Sequence, residues 1–468
     1  MRTYSQFLAL ALLVAGSFIL TDCKKDKDAL PFFLLGSNAE SAPGSTVTEE
    51  TSEGTTVTTT NGDVTGEEEF EFQTSETIDI NVNVTDDDGP VPGATVIVNE
   101  TETDETLYQG VTDEEGNVTG TIEVTPENET VTVIIQVGDE SIEQEVSTDN
   151  LQEINREVVI DGSTGDSAIA DADGDGISDS ADHYPDDSTR ATRVVVPSAD
   201  GQVVAYEDLY PSPGDADFND YVIKLNQELD LDSSGKVIRI RGTYRHIARG
   251  AGYKHTLHLT LPGSGTVTRK IYSSTGSLES EDNQSGNLTG IEILPRSDGT
   301  ISQSNTVNGQ TFQSGKYAEI EIVLNEAVSR SELGRAPFDL FIKVINTGKE
   351  VHFPGKYIEE DGSDTYMDSN GFPWALSVPK EWNWPYESRN IADGYPDFET
   401  WYLSMGQEKS DWYKRAQDSY VFPYVTNGAL AAYIRAGIGN GSLLWSMLAL
   451  GLAGLLGLFL YREKTHQR

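Results

Sequence analysis

Short runs in which apolar and polar residues alternate recur along the middle of the chain. A period of two places every second side chain on the same face of an extended strand, so each run predicts a β-strand with one buried face. The runs cover residues 78–84, 94–98, 118–124 and 130–137, and then 222–225, 236–244, 256–261, 319–324 and 338–345. Turns rich in Gly, Pro and Ser separate them. Except near residues 397–413, no long amphipathic helix is predicted, and the fold class is mainly β, with two β-sandwich domains.

The charge of the chain is strongly acidic. Asp and Glu number 77 against 32 Lys and Arg, which gives a formal net charge of −45 and a pI of about 4.2. Such a surface repels nucleic-acid phosphates, which excludes nucleic acid as a partner. No lysine lies between Lys27 and Lys224, so the intervening surface is suited to binding cations, to keeping the protein soluble, or to both.

Residues 1–23 predict an export signal. Arg2 precedes an apolar run over residues 7–20 that is too short to span a bilayer. Cys23, the only cysteine, follows this run and cannot form a disulfide within the chain. With Leu20 three positions before Cys23, the segment resembles the lipobox of spirochaetal lipoproteins, which implies lipid attachment at Cys23. Asp22 stands where a lipobox has a small residue, so an ordinary signal peptide stays open.

Residues 443–461 form an uncharged apolar stretch, followed by Arg462, Lys464 and Arg468. Its length matches a membrane-spanning helix, and the basic residues would face the cytoplasm. The stretch also resembles the sorting tails of bacterial surface proteins, which are removed after export. Under either interpretation the body of the protein lies outside the cytoplasm, in the cell envelope, at the outer membrane or the cell surface.

The predicted body begins with a polar segment and a spacer module. Residues 24–76 are rich in Ser, Thr, Gly and Glu, without hydrophobic period, and predict a disordered tether. Residues 77–160 carry the motifs GPVPGATV (89–96) and GVTDEEG (110–116). These motifs resemble prealbumin-like β-sandwich modules, which implies a spacer without catalytic activity.

An acidic loop over residues 166–190 predicts a calcium site. Its oxygen-bearing side chains follow the spacing of a calcium-binding loop, with Gly176 at the tight turn and the Ile177 carbonyl as a further ligand. The predicted side-chain ligands are Asp171, Asp173, Asp175, Asp179 and Asp182. The loop resembles thrombospondin type 3 repeats, because Asp182 replaces the Glu of an EF-hand and no helix precedes it. A solvated acidic linker is the alternative.

A second acidic cluster lies between residues 207 and 220. It contains six oxygen-bearing side chains, Glu207, Asp208, Asp215, Asp217, Asn219 and Asp220. Carboxylates this close repel one another unless a cation lies between them, so the cluster also predicts calcium binding. Two alternatives stay open: a solvated turn, and an acid–base pair formed by Asp217 and Asp220, as in glycoside hydrolysis.

Several motifs occur in the order found in LruC-domain lipoproteins of diderm bacteria. They include DADGDGISDSADHYPDD (171–187), YEDLYPSPGDADFNDYVIKLN (206–226) and GAGYKHTLHLTLP (250–262). This resemblance spans residues 171–424, with a domain at 191–424, and implies an exported, surface-associated β-rich domain. The aromatic residues Trp374, Trp382, Trp384, Trp401 and Trp412 are interpreted as core. His246, His255 and His258 are interpreted as structural or exposed, ahead of a zinc site.

No sequence motif of an enzyme class is present, so a non-enzymatic function is predicted. The preferred hypothesis is a calcium-stabilised envelope lipoprotein that binds an extracellular glycan or protein. The alternatives are a calcium-dependent carbohydrate-acting enzyme and a purely structural surface component.

Overall fold

Strands dominate the described part of the chain. The computed structural model describes residues 32–34, 46–50, 56–65, 72, 74–138, 140–161, 170–179, 181–198, 200–212, 214–250 and 252–424. Every alternating run named above overlaps an observed strand. The prediction of a mainly β protein is therefore confirmed.

An N-terminal module contains two sheets. Its strands are β1 (Phe32–Leu34), β2 (Thr46–Glu50), β3 (Thr56–Asn61), β4 (Val64–Thr65), β5 (Glu76–Asp86), β6 (Gly89–Pro90), β7 (Thr95–Glu100), β8 (Thr106–Val111), β9 (Asn117–Val124), β10 (Thr130–Val137), β11 (Glu140–Ser147) and β12 (Leu151–Ile160). One sheet has the order β1-β11-β10-β7-β8, and the other has the order β2-β3-β12-β5-β6, with β4 on β12 and β9 on β5. Val82 of one sheet and Val133 of the other belong to the same buried cluster, so the two sheets share a core.

A C-terminal domain also contains two sheets. Its strands are β13 (Thr192–Val196), β14 (Gln202–Tyr206), β15 (Tyr221–Leu231), β16 (Val237–Ala248), β17 (His255–Thr260), β18 (Ser264–Tyr272), β19 (Leu278–Asn287), β20 (Ile291–Leu294), β21 (Tyr317–Val328), β22 (Asp339–Val344), β23 (Lys349–Val351) and β24 (Ala375–Pro379). The larger sheet has the order β19-β18-β21-β16-β15-β14-β24, with β13 on β15, and the smaller one has the order β20-β17-β22-β23. Tyr244 and Leu257 lie in the core between them.

The helices of the C-terminal domain are short. They are α1 (Ser297–Thr300), α2 (Arg330–Leu333), α3 (Ile391–Gly394) and α4 (Phe398–Leu403), with a 3-10 turn at Trp412–Lys414. The prediction of an amphipathic helix near residues 397–413 is wrong in length, because α4 ends at Leu403 and Gly406 follows at a φ of 85°. A positive φ is a conformation that glycine adopts readily and that ends a helix.

Residues 380–424, here called the aromatic lid, cover the outer face of the larger sheet. Val203 and Ala205 of β14 point into the lid, whereas Val204 and Tyr206 point into the sandwich core. The lid buries Trp382, Trp384, Trp401 and Trp412, each at most 1 % exposed, and Trp374 is 3 % exposed. The interpretation of this tryptophan cluster as core is confirmed, and β14 is buried on both faces.

The predicted tether over residues 24–76 is wrong for the residues that the structure describes. β3 pairs antiparallel with β12, and its side chains alternate between buried and half-buried. Asp63 forms a buried ion pair with Arg156 of β12. The run TVTTTN is polar in composition. Threonine is nevertheless β-branched and fits a pleated strand, so this polar run forms a strand that composition alone does not predict.

The N-terminal module is docked onto the C-terminal domain. Arg330 of α2 donates to the carbonyl oxygens of Leu107 at 2.7 Å and Thr121 at 2.6 Å. Arg335 donates to the carbonyl oxygen of Ser75 at 2.8 Å. Charged donors on backbone acceptors are strong hydrogen bonds, so these contacts fix the two units against one another.

Three predicted features lie outside the described residues: the export signal at 1–23 with Cys23, the start of the tether, and the apolar stretch at 443–461. Among the residues that are described, no helix has the length and apolar character required to cross a membrane.

Phe72 provides a test of the corrected tether. Its side chain is 2 % exposed and meets the ring of Trp401 edge-on, with 6.0 Å between centroids. We expect Phe72→Ala to lower the free energy of unfolding by about 3 kcal/mol, because it removes a buried ring from the lid core. Val64→Ala, at a site that is 43 % exposed, is the control and should change it by less than about 0.5 kcal/mol. Equal urea midpoints for the two variants would instead support a tether at residue 72.

Candidate metal centres

Residues 207–220, here called the acidic connection, close a β-hairpin. Tyr206 ends β14 and Tyr221 begins β15, and the two residues are paired in register. The sandwich core lies on one side of this hairpin and the aromatic lid on the other. The acidic connection is therefore enclosed between two apolar layers at its point of attachment.

Most of the predicted ligands in the acidic connection are buried. The residues that are at most 5 % exposed are Glu207, Asp208, Asp217, Asn219 and Asp220. Asp215 is exposed. One carboxylate oxygen from each of Glu207, Asp215 and Asp217 lies within 4.8 Å of the other two. The structure thus brings together residues that the sequence had placed only near one another.

Backbone N–H groups orient two of these carboxylates. Phe218 N donates to Glu207 Oε1 at 2.5 Å, and Asn219 N donates to Asp217 Oδ1 at 3.1 Å. Ser388 N of the lid donates to Asp217 Oδ2 at 2.8 Å. These contacts fix the carboxylates without neutralising their charge.

Two residues of the acidic connection have a left-handed backbone. Ala216 has a φ of 56° and Phe218 a φ of 49°, which L-residues other than Asn and Asp adopt rarely. Such conformations persist where the surrounding structure imposes them, and they concentrate at functional sites. Here they turn the chain so that Phe218 enters the lid core while Asp217 and Asn219 remain in the acidic cluster.

Three buried oxygens of the acidic connection have no hydrogen-bond partner: Glu207 Oε2, Asp208 Oδ1 and Asn219 Oδ1. A buried acceptor without a partner is unfavourable, and a buried charge without one is much more so. Carboxylate and amide oxygens are the ligands that calcium prefers, and they are present here in the number that calcium uses. The donor set therefore fits a hard cation.

The metal-free cluster favours protonated acids. Burial, with added repulsion from neighbouring carboxylates, raises the pKa of Glu207 and Asp220 well above the ordinary values. Burial and the charge of Asp215 raise the pKa of Asp217 to about 8. In the described residues, no Lys or Arg forms an ion pair with any of these groups. A cation would supply the missing positive charge.

Asp208 contacts a histidine that the sequence does not mark as part of this site. His255 of β17 is fully buried, and its Nε2 lies 2.9 Å from Asp208 Oδ2. Asp208 N donates to Asp220 Oδ2 at 2.9 Å. The imidazole occupies one oxygen of Asp208 and leaves Oδ1 for a cation, the arrangement by which outer groups orient metal ligands.

The structure adds Glu387 to the cluster. It lies between Pro385 and Ser388, whose backbone groups bond to the acidic connection, and burial together with the charges of Asp215 and Asp208 raises its pKa. Thr306 Oγ1 donates to its Oε2 at 3.0 Å. No local sequence pattern marks Glu387, which lies in the aromatic segment WNWPYES far along the chain.

The first predicted site, here called the aspartate loop (residues 171–182), is also assembled. Carboxylate oxygens of Asp171, Asp173 and Asp175 lie within 4.8 Å of one another. Asp173 Oδ2 and Asp175 Oδ2 are buried atoms without a hydrogen-bond partner. Gly174 and Gly176 have φ values of 78° and 98°, as the tight turn requires.

The other predicted ligands of the aspartate loop differ in placement. Asp182 does not belong to the group whose oxygens lie within 4.8 Å of one another, and burial with the charges of the three central aspartates raises its pKa to about 6. Asp179 Oδ1 accepts from Ala172 N at 2.8 Å, so this side chain braces the loop. Ile177 has a buried side chain, and its N–H donates to Asp175 Oδ1 at 2.8 Å. The role of its carbonyl as a ligand stays a prediction.

The other two histidines considered for zinc make separate contacts. His246 Nδ1 lies 2.6 Å from Thr300 Oγ1, and its ring stacks on Tyr221. His258 Nδ1 lies 3.1 Å from the carbonyl oxygen of Gly290, and its ring stacks on Phe341. Both are buried, in agreement with a structural role.

Comparisons with known proteins give a family description without a function. A family profile described as "Domain of unknown function (DUF4842)" matches residues 235–413, inside the C-terminal domain. No curated protein sequence matches the chain.

Two solved structures can be compared with the chain. The crystal structure of a "Putative lipoprotein from Bacteroides ovatus" has 17% sequence identity and a TM-score of 0.43, covering 70% of this chain and 99% of that one. The Bacillus anthracis TIE protein has 8% identity and a TM-score of 0.13, covering 60% and 57%. Part of the chain is thus similar to a domain family of unknown function.

Proposed function

We propose that the protein is an exported, calcium-dependent and non-enzymatic component of the bacterial envelope. The observation that supports this proposal most strongly is the acidic connection, in which Glu207 Oε2 and Asp208 Oδ1 are buried without a partner. Calcium would be held there by Glu207, Asp208, Asp215, Asp217, Asn219 and Asp220, and in the aspartate loop by Asp171, Asp173, Asp175, Ile177, Asp179 and Asp182. In this proposal the metal stabilises a binding or adhesion domain whose ligand is an extracellular glycan or protein.

The envelope location in this proposal comes from the ends of the chain. Residues 1–23 have the pattern of an export signal, Cys23 is the proposed site of lipid attachment, and residues 443–461 would give a second anchor or a sorting tail. The proposed LruC-type identity of the C-terminal domain has the same implication. Calcium sites of extracellular modules have Kd values of about 0.1 to 1 mM, so a site of modest affinity is sufficient for such a role.

A binding role is favoured over acid–base catalysis by Asp217 and Asp220. Asp217 is 1 % exposed, and both of its oxygens accept backbone N–H groups. A general acid must reach the atom that it protonates. Asp220 is 5 % exposed, and one of its oxygens accepts from Asp208 N. Both side chains face inward, where a cation can lie but a polysaccharide cannot.

We expect calcium to raise the melting temperature of the protein and Glu207→Gln to remove much of that gain. A ligand at about 100 times its Kd stabilises the folded state by about 2.7 kcal/mol. Because Gln retains the acceptor for Phe218 N and mimics the protonated acid that the metal-free cluster favours, the metal-free variant should melt no lower than the metal-free wild type. Thermal melts with calcium and with chelator measure both effects.

Two further variants complete that experiment. The double variant Asp173→Ala with Asp175→Ala should remove the part of the calcium-dependent rise in melting temperature that comes from the aspartate loop. Glu360→Gln, at an exposed site, should leave this rise unchanged. Wild-type melting that is indifferent to calcium would refute the proposed function.

The metal-free protein should lose stability as pH rises from about 4 to about 8. The pKa of Asp217 is raised to about 8 in the folded state, so between these pH values the folded state binds more protons than the unfolded state. Stability then falls with increasing pH, and calcium should remove this fall because it replaces the protons. Melting temperatures at pH 5 to 8, in calcium-depleted buffer and with calcium, test the sign. Parallel profiles in the two buffers would contradict it.

A further inference from the structure

The start of the aromatic lid is wrapped directly around the acidic connection. The Ser388 N–H donates to Asp217 Oδ2 at 2.8 Å, and Asn219 Nδ2 donates to the carbonyl oxygen of Pro385 at 3.1 Å. Ile391 N donates to the carbonyl oxygen of Ala216 at 2.8 Å. Residues 385–391 are therefore attached to the same loop that carries the candidate ligands.

This attachment adds a carboxylate to a cluster that is already repulsive. Glu387 is half-buried and lies between Pro385 and Ser388, the two residues whose backbone groups bond to Asn219 and Asp217. Its backbone N–H and its Oε2 are both engaged by Thr306, at 3.1 Å and 3.0 Å, so the side chain has a fixed direction. Without a cation, this geometry opposes docking of residues 385–391, because like charges at short range repel.

We infer that Glu387 is a ligand of the cation bound by the acidic connection, so that cation binding and docking of the aromatic lid form one equilibrium. The inference rests on the proposed calcium function and assigns to it a residue from a distant part of the chain. With calcium, Glu387 gains a positive partner and the lid closes over Val203 and Ala205. Without calcium, the repulsion loosens residues 385–391 and exposes that apolar face.

The lid carries its own reporters of this equilibrium. Trp382, Trp384, Trp401 and Trp412 are each at most 1 % exposed. Loosening of the lid would bring indole rings into water and shift their emission to longer wavelength. It would also free the backbone of the lid for cleavage by trypsin after its basic residues, namely Lys380, Arg389, Lys409, Lys414 and Arg415.

The test compares Glu387→Gln with Glu408→Gln in the full chain. Glu408 is an exposed acid of the same lid and serves as the matched control. Calcium titrations are followed by tryptophan emission. The calcium concentration at the midpoint should be at least about tenfold higher for Glu387→Gln than for the wild type, since even outer partners of metal ligands change affinity about 10- to 100-fold. For Glu408→Gln the midpoint should equal that of the wild type. Glu387→Asp, which keeps the charge on a shorter side chain, should lie between wild type and Glu387→Gln.

The outcomes separate this inference from the proposed function. Chelation of the wild type should shift the emission and accelerate tryptic cleavage within residues 380–424. If calorimetry shows calcium binding but emission, cleavage and the Glu387→Gln affinity are unchanged, the coupling of lid and cation is refuted while the calcium function stands. If calorimetry shows no calcium binding to the wild type, both are refuted.

Discussion

The repulsion among the carboxylates between β14 and β15 is the constraint on which the C-terminal domain depends. β14 lies between β15 and the edge strand β24, and it faces the sandwich core with Val204 and the aromatic lid with Val203. Where its hairpin partner β15 pairs with it, the two ends of the acidic connection are buried, with Glu207 and Asp208 at one end and Asp217 and Asp220 at the other. The hydrophobic gain from two apolar layers is thus tied to the burial of Glu207 and Asp217, which is unfavourable without a counter-charge.

The aspartate loop differs from the acidic connection in exposure, although backbone N–H groups orient acids in both. Asp171 accepts from Gly174 N and Gly176 N at 2.8 and 3.0 Å, and Asp175 accepts from Ile177 N at 2.8 Å. Such local turns let the loop keep its shape while much of it is solvated. A cation there would increase stability through binding, whereas a cation at the acidic connection would remove an obstacle to folding.

The sequence allowed prediction of features that depend on neighbouring residues, but not of contacts between residues that are far apart in the chain. Alternation located the strands, and the spacing of acids located both clusters. The tether failed as a prediction because threonine in residues 56–61 counts as polar in composition but forms strands readily. The roles of residues 385–388 and of His255 could not be found, because these residues contact the acidic connection only through the tertiary fold.

The aspartate loop and the residues just after it form hydrogen bonds with both the N-terminal module and the C-terminal domain. Tyr184, just after the loop, donates to Asp230 Oδ1 of β15 at 2.7 Å, and Gln109 of β8 donates to the carbonyl oxygen of Ala181 at 2.9 Å. Asp230 is fully buried and also pairs with Arg241 at 2.8 Å, so this anchor is rigid. Because strand β15 begins at the acidic connection and carries Asp230 near its other end, the two acidic elements are joined by one strand. A cation bound at either element would therefore stabilise the sheet to which the other element is attached.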